Sequence, residues 1–176
     1  MVDQLTIAKR QTLQLASIMA RRGASAACIG ARLGLALPTR PGWVQSSALD
    51  VLGTGPGSWL ALAEGAGPDW SDRLSVQLAG LASVSDQSGG TVVFRFAGPG
   101  ARALLQSGVT LDLHPDNFGP GAAATTAIAH IGVVLWRTAE KAGFEVALFR
   151  SYKASFRHWI ETSAAAQGLA FQAPEW

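Results

Sequence analysis

The sequence predicts an α+β fold in a single domain over residues 1–176, arranged as two βαββα-like halves. A chain of 176 residues has the length of one domain and buries roughly 70% of its unfolded surface. Its apolar content of 48% is ample for a hydrophobic core. Segments with strand-like and helix-like spacing of apolar residues alternate along the chain, with no linker or low-complexity stretch between them.

The first half begins with a strand for which a helix is the rival interpretation. The predicted elements are a strand at 12–20, a helix at 25–34, strands at 48–52 and 58–63, and a helix at 68–83. Short apolar runs are ambiguous, so a helix from Ile7 to Arg22 competes with the first strand. The next helix has clearer ends, because Ser25 is a good N-cap and Gly34 a good C-terminal stop.

The second half repeats this order. The predicted elements are a strand at 91–97, a helix at 98–108, a loop at 111–121, a hairpin of strands 127–137 and 144–150 around Lys141-Ala142-Gly143, and a helix at 151–168. Pro99 suits the first position of its helix and Gly108 its end. In the last helix, Ser151 is the predicted N-cap and Tyr152, Phe156 and Trp159 form an apolar stripe.

Composition and charge argue against several classes of function. The net charge is +2 and no run of Lys or Arg exceeds two residues, which disfavours nucleic-acid binding. The longest apolar run, GAAATTAIAHIGVVLW, is shorter than the ~20 residues of a membrane helix. The only cysteine, Cys28, allows no internal disulfide and no Cys-x-x-Cys metal site. We therefore expect a soluble, cytoplasmic protein that does not bind membranes.

The stretch VLGTGPGSWLAL, residues 51–62, raises the question of a phosphate-binding loop. A dinucleotide loop needs Gly-x-Gly-x-x-Gly at the start of a helix, whereas here Pro56 removes an N–H donor and no long helix follows. The motif therefore predicts a hairpin turn with Pro56 at its second position. Gly-Pro-Gly recurs 43 residues later, at 98–100, and both coincidence and an internal duplication remain open.

Several segments, in their order and spacing, resemble the γ subunit of the heterotetrameric sarcosine oxidases over nearly the whole chain. They are LASIMARRGASAA, VLGTGPGSWLAL, ASVSDQSGGTVVFRFAGPGARALLQSGVTLDL, FGPGAAATTAIAHIGVVLWR and FEVALFRSYKASFRHWI. The pattern of an Asp-Ser turn, a strand, a Gly-Pro helix start and LDL is also similar to a reduced folate-binding lobe of the glycine-cleavage T-protein, an aminomethyltransferase.

This resemblance implies a non-catalytic subunit of a complex that oxidatively demethylates sarcosine to glycine. The products would be hydrogen peroxide and either formaldehyde or 5,10-methylenetetrahydrofolate. It implies that the cofactors belong to the partners: FAD and FMN in the β subunit, NAD and tetrahydrofolate in the α subunit, and zinc in the small δ subunit. It implies no catalytic, cofactor-binding or metal-binding residue in this chain.

Two alternatives remain beside this interpretation. One is the γ-like subunit of an N-methyl amino-acid dehydrogenase, such as an N-methylglutamate dehydrogenase. The other is a free folate-binding protein of one-carbon metabolism or tRNA modification. The related RNA-modification proteins carry a Lys-Gly-Cys-Tyr-x-Gly-Gln-Glu signature, whereas the only cysteine here lies in SAACIGA, which counts against independent folate chemistry.

The polar candidates for a site have simpler structural explanations. Asp112, His114 and Asp116 have alternating spacing that could hold a metal, but Pro115 and the following NFGPG favour a polar turn. His130 lies in an apolar segment and is predicted to be a hydrogen-bonded core histidine. His158 is expected on the solvent or partner side of the last helix.

Basic residues near the start of the last helix are the first candidates for a partner interface. Arg150 and Lys153 place positive charge against the helix macrodipole, and Arg157 extends the basic edge. An acidic partner, an internal salt bridge to Asp86 or Asp112, and simple solvation all remain open explanations.

Two of the six tryptophans are the other candidates. Trp43 lies in a proline-rich connection and Trp176 at the C-terminus, where burial within the chain is difficult. Tryptophan is enriched at binding hot spots, so both are candidate interface anchors. For Trp176, a disordered end over the terminal FQAPEW remains open as the alternative.

Overall fold

The computed structural model describes residues 5–139 and 143–172 of the chain. The strands are β1 Leu5–Lys9, β2 Leu13–Ala20, β3 Trp43–Gln45, β4 Asp50–Gly55, β5 Ser58–Glu64, β6 Ala82–Asp86, β7 Thr91–Ala97, β8 Ala123–Ile128, β9 Ile131–Arg137, β10 Phe144–Phe149 and β11 Phe171–Gln172. The helices are α1 Ala26–Leu33, α2 Trp70–Gln77, α3 Gly100–Gln106 and α4 Lys153–Ala166, with a 3₁₀ turn at Arg150–Tyr152. The α+β class is confirmed.

The described chain divides into two compact units. One unit is Gln11–Gly89, and the other combines the chain up to Arg10 with the chain from Gly90 onward. These bounds follow the predicted halves closely, except that β1 joins the second half.

The Gln11–Gly89 unit is an antiparallel sheet with the strand order β3-β4-β5-β2-β6. Alternate residues of these strands form its core with Ile29 of α1 and Leu74 of α2. The buried members of this core are Ala16, Ile18, Ile29, Leu37, Val51, Trp59, Ala61, Leu74, Leu78 and Ala82.

The second unit has a six-stranded sheet with the order β11-β1-β7-β10-β9-β8. The strands pair antiparallel except for β1 and β11, which are parallel. Helices α3 and α4 supply Leu104, Leu105, Phe156 and Ile160 to the core of this unit. Neither β1 nor β11 was predicted, because their pairing joins opposite ends of the chain.

The two units share one topology. Each runs strand, helix, three strands, helix, strand, from β2 to β6 and from β7 to β11. The strand orders also correspond, with β1 inserted as an extra strand between β7 and β11. The two Gly-Pro-Gly segments are not equivalent in this repeat, because the first joins β4 to β5 and the second joins β7 to α3. Their sequence offset is therefore coincidental.

Local sequence signals explain the first helix and the hairpin after it. Ser25 Oγ accepts a hydrogen bond from the Cys28 N–H at 3.2 Å, and Gly34 ends α1 with a left-handed φ of 72°. Gly55 pairs with Ser58, so Pro56 and Gly57 form the turn between β4 and β5. Both predictions are confirmed, and the glycine-rich stretch opens no helix.

Two predicted elements have wrong bounds. The helix predicted at 68–83 ends at Gln77, because the chain turns at Gly80, whose φ is +83°, and continues as β6. The strand predicted at 127–137 is instead two strands, β8 and β9, joined by a tight turn at Ala129 and His130.

The start of the last helix also differs from the prediction. Ser151 is not the N-cap, because it lies inside the 3₁₀ turn and Tyr152 occupies the cap position of α4 without a side-chain hydrogen bond. The rival helix from Ile7 to Arg22 is excluded by β1 and β2. Lys141 and Ala142 of the predicted turn Lys141-Ala142-Gly143 lie outside the described residues, although its strands β9 and β10 pair as expected.

Candidate partner interface

The predicted basic residues lie where β10 passes into α4. We call the residues Phe149, Arg150, Tyr152 and Lys153 the β10–α4 corner. Phe149 ends β10 opposite Thr91, and the Arg150 N–H donates to the Gly90 carbonyl at 2.7 Å. The backbone of the corner is therefore attached to the start of β7.

The corner exposes two aromatic side chains. Phe149 is 60% exposed and Tyr152 is 48% exposed, which makes them two of the four large apolar residues with high exposure among the described residues. The other two, Met19 and Val76, belong to the Gln11–Gly89 unit. Tyr152 was predicted to lie on the buried stripe of the last helix, and that prediction is wrong because it precedes α4 in the 3₁₀ turn.

The charge at the corner is one-sided. The segment 149–160 contains three cationic residues, Arg150, Lys153 and Arg157, and no Asp or Glu. The first turn of α4 has no acidic residue, so Lys153 opposes the helix macrodipole as predicted. The Nε of Arg157 donates to Glu161 Oε1 at 2.8 Å one turn along α4. The role of the three cations in a partner interface stays a prediction.

The two carboxylates proposed as internal partners are bonded within their own turns. Asp86 accepts hydrogen bonds from the hydroxyl and the N–H of Ser88, which lower the pKa of Asp86. Asp112 accepts from the His114 N–H and from Asn117, which lower the pKa of Asp112. Each turn thus stabilises the ionised form of its own carboxylate.

Buried aromatic residues hold α4 in place behind the corner. The ring of Phe156 lies 6.0 Å from that of Phe94 and 6.2 Å from that of Phe96. Trp159 packs so closely on Gly108 that an added Cβ there would lie 2.5 Å from its Cζ2. Gly108 thus has a packing role beyond the predicted helix stop.

A buried ion-pair cluster lies on the same sheet as the corner. Glu145 of β10 is 1% exposed and accepts from Arg10 Nη1 at 3.1 Å and from Arg95 Nε at 2.8 Å. No sequence pattern indicated this cluster, because its members are distant along the chain and meet only through strand register. Each carboxylate oxygen has a cationic donor, which is the condition for burying a carboxylate.

The structure describes one of the two tryptophan candidates, Trp43. Trp43 begins the edge strand β3 and is half-buried, and its indole N–H has no hydrogen-bond acceptor among the described residues. A buried donor without an acceptor costs roughly 1–3 kcal/mol. Trp176 lies outside the described residues, and its role stays a prediction.

The other polar candidates take no part in a described cluster. Asp112 and His114 form a polar turn, and no group of His, Cys, Asp and Glu within residues 5–139 and 143–172 could hold a metal. His130 is exposed in the β8–β9 turn with a φ of 68°, so the predicted core histidine is wrong. His158 is exposed on α4, as expected. No helix in the described part of the chain is long and apolar enough to cross a membrane.

Known protein families and curated proteins include several that are similar to this chain. The model of the sarcosine oxidase, gamma subunit family matches residues 19–166. The chain belongs to this family. Sarcosine oxidase subunit gamma from Arthrobacter sp is 38% identical over 122 residues, which are 67% of this chain and 59% of that protein. The subunit from Corynebacterium sp. strain P-1 is 32% identical over 140 residues, which are 76% of this chain and 66% of that protein.

These alignments span only about three fifths to two thirds of the curated relatives, namely 59% and 66% of their lengths. Activity, substrate and partners of the gamma subunit relatives therefore come to this chain as proposals.

Solved structures agree with the family and the fold. A chain of the heterotetrameric sarcosine oxidase from Corynebacterium sp. U-96, in complex with pyrrole 2-carboxylate, matches with a TM-score of 0.83 and 29% identity. The match covers 96% of this chain and 88% of that chain. The glycine-cleavage aminomethyltransferase T from Bartonella henselae matches 97% of this chain and 47% of its own, with a TM-score of 0.67 and 13% identity. The latter shows likeness of fold alone, and the predicted resemblance to both is confirmed.

Proposed function

We propose that this chain is the γ subunit of a heterotetrameric sarcosine oxidase, which oxidatively demethylates sarcosine to glycine with hydrogen peroxide. The observation that carries the proposal is the match over 96% of the chain to a structure of that enzyme, together with the family match. In this proposal the chain is non-catalytic and completes the assembly. The one-carbon unit leaves as formaldehyde or as 5,10-methylenetetrahydrofolate.

The partners are the α, β and δ subunits, and they hold the cofactors. FAD and FMN belong to β, NAD and tetrahydrofolate to α, and zinc to δ. This division remains part of the proposal, as does the cytoplasmic location. The free thiol of Cys28, which is exposed, is compatible with a reducing compartment.

Trp43 is a proposed contact with a partner. Its half-buried ring at the start of the edge strand β3 supports a partner that covers the part left exposed. The substitution Trp43→Ala removes the ring, and weaker assembly is the expected result.

The proposal is tested by mild capture of the tagged chain from its native host, with mass spectrometry and a visible spectrum of the eluate. Yellow material with three partner chains and sarcosine-dependent peroxide is the expected result. A dehydrogenase partner set without peroxide would instead support an N-methyl amino-acid dehydrogenase. A colourless chain that elutes alone would contradict a complex, and stoichiometric folate binding by that chain would favour a free folate-binding protein.

A further inference from the structure

Arg137, the last residue of β9, is a buried cation without a counter-charge. It is 9% exposed, and Glu145 is the other charged side chain that is buried among the described residues. The carboxylate of Glu145 has two cationic donors, Arg10 and Arg95. For Arg137, by contrast, no carboxylate in the described part of the chain forms an ion pair. A buried charge in this condition is strongly unfavourable.

The contacts that Arg137 does make are with neutral groups. Its Nη1 donates to the Phe118 carbonyl at 3.4 Å, which is long for a hydrogen bond. The guanidinium carbon lies 5.2 Å from the ring centre of Phe144, within the range of a cation–π interaction. The rings of Phe118 and Phe144 are stacked and buried, so water screens the charge little on this side.

The three nitrogens of the Arg137 guanidinium differ in access. Nε is completely enclosed and has no acceptor among the described residues, and Nη1 is bonded to Phe118. Nη2 has no hydrogen bond to a described residue and is not enclosed as Nε is, so a group outside the chain can reach it. One donor nitrogen is therefore open to the surface, while the charge that it shares lies in apolar surroundings.

The backbone holds Arg137 in a fixed position. Its N–H donates to the Ala122 carbonyl at 2.9 Å, and its carbonyl accepts from the Gly121 N–H at 3.2 Å. On its other side it pairs with Phe144 of β10. Little ordering of this residue is needed when it binds a ligand, which favours affinity.

We propose that Arg137 binds a carboxylate from outside this chain through Nη2. A carboxylate balances the single positive charge of the guanidinium, whereas a phosphate dianion would leave excess negative charge beside two phenylalanine rings. The carboxylate belongs either to an Asp or Glu side chain of another protein or to a small free acid, and both present the same group to Nη2. This site is additional to the proposed subunit role.

The first test is thermal unfolding of the purified full chain in sodium acetate and in sodium chloride of equal ionic strength. Arg137→Met removes the guanidinium, and Arg102→Met is the matched control, an exposed arginine of the same unit. Acetate at about 0.2 M is expected to raise the melting temperature of the wild type and the control by roughly 3 °C or more, but not that of Arg137→Met. An equal response of all three chains to acetate would be a general effect of the salt and would overturn the proposal.

A measurement on the wild type alone guards against a misfolded variant. The Nε–H of Arg137 is enclosed, so its NMR signal is expected to survive exchange with water and to shift to saturation as acetate is added. No shift up to about 0.2 M acetate would overturn the proposal. A shift with inorganic phosphate and none with acetate would overturn the choice of a carboxylate.

The source of the carboxylate is decided in the native host with tagged full chains. If acetate binds, a loss of captured partner chains of roughly tenfold for Arg137→Met, but not for Arg102→Met, assigns the carboxylate to a partner protein. Equal capture by both variants assigns it to a small free acid. A wild-type chain that captures no oxidase subunit would contradict the proposed function and leave the acetate result unaffected.

Discussion

Glu145 illustrates how single residues stabilise the six-stranded sheet. Its carboxylate is almost completely buried, and Arg10 and Arg95 each donate to one of its oxygens. The two arginines differ in exposure, since the Arg10 side chain is 10% exposed and the Arg95 side chain 42%. The energetic roles of the three residues are therefore unequal.

Removing the carboxylate charge should cost more than removing the exposed cation. Glu145→Gln leaves Arg10 buried without a counter-charge, which lowers the free energy of unfolding by about 3 kcal/mol. Arg95→Met leaves Glu145 Oε1 without its donor but keeps the counter-charge of Arg10, so it should cost less, about 1–2 kcal/mol. Urea unfolding of the purified chain measures both, and a larger loss for Arg95→Met would contradict this ranking.

Gly108 and Gly132 form a matched pair of glycines. A Cβ at Gly108 would meet Trp159 at 2.5 Å and Ile128 at 2.9 Å, whereas nothing lies within 4 Å of one at Gly132. Gly108→Ala should therefore lower the free energy of unfolding by about 1–3 kcal/mol. Gly132→Ala should be neutral or stabilise by up to about 1 kcal/mol, because alanine restricts the unfolded chain more. Thermal unfolding of the two variants tests this difference. Similar melting temperatures would show that Trp159 has room to move.

The hydrogen bonds in the Asp86 turn determine the pKa predicted for the Asp86 carboxyl. Hydrogen bonds from Ser88 lower the pKa of Asp86 from its ordinary value of 3.8. A depressed folded pKa means that the ionised turn stabilises the fold above the unfolded pKa, and that this contribution is lost as pH falls through the folded pKa. Ser88→Ala should raise the pKa of Asp86 in an NMR titration, and the neighbouring Ser83→Ala should not. An unchanged pKa in Ser88→Ala would refute the assigned cause.

At the scale of elements, the sequence predicted helix ends and turns that depend on a few adjacent residues. Ser25 and Gly34 marked both ends of α1, and the Gly-Pro-Gly segment marked the β4–β5 turn, because caps and turns depend on a few adjacent residues. The β8–β9 turn was missed because Ala129 and His130 adopt positive φ without the usual Asn or Gly.

Features that join residues far apart in the sequence were less predictable. The β1–β11 pair and the Glu145 cluster join distant residues, and periodicity within one segment carries no register information. The candidate interface was half predicted. Arg150 and Lys153 were identified by their charge, but Phe149 and Tyr152 were not, because their exposure depends on where the 3₁₀ turn precedes α4.

The β8–β9 hairpin offers a stabilising substitution. Its two turn residues have φ values of 48° and 68°, which favour Asn followed by Gly. Ala129→Asn with His130→Gly should raise the free energy of unfolding by about 1 kcal/mol, since it removes the strain of left-handed backbone at Ala129 and His130. Thermal unfolding tests this, and a lower melting temperature would show that the side chain of His130 has a stabilising role.

At the scale of the whole molecule, the chain is two units of one repeated topology, and its family is that of the sarcosine oxidase gamma subunits. Its described residues form no cluster that could hold a metal, and its strongest surface feature is a basic corner with two exposed rings.

Native mass spectrometry of the oxidase, captured through its flavin-bearing subunit from the native host, tests this account most directly. The account predicts one copy of this 18.3 kDa chain in each complex of four different subunits. It also predicts that the Arg150→Glu, Lys153→Glu chain is missing from the captured complex. An intact oxidase that never contains this chain would contradict the proposed subunit role. An oxidase that binds the chain regardless of the two charges would contradict the proposed contact of Arg150 and Lys153 with a partner.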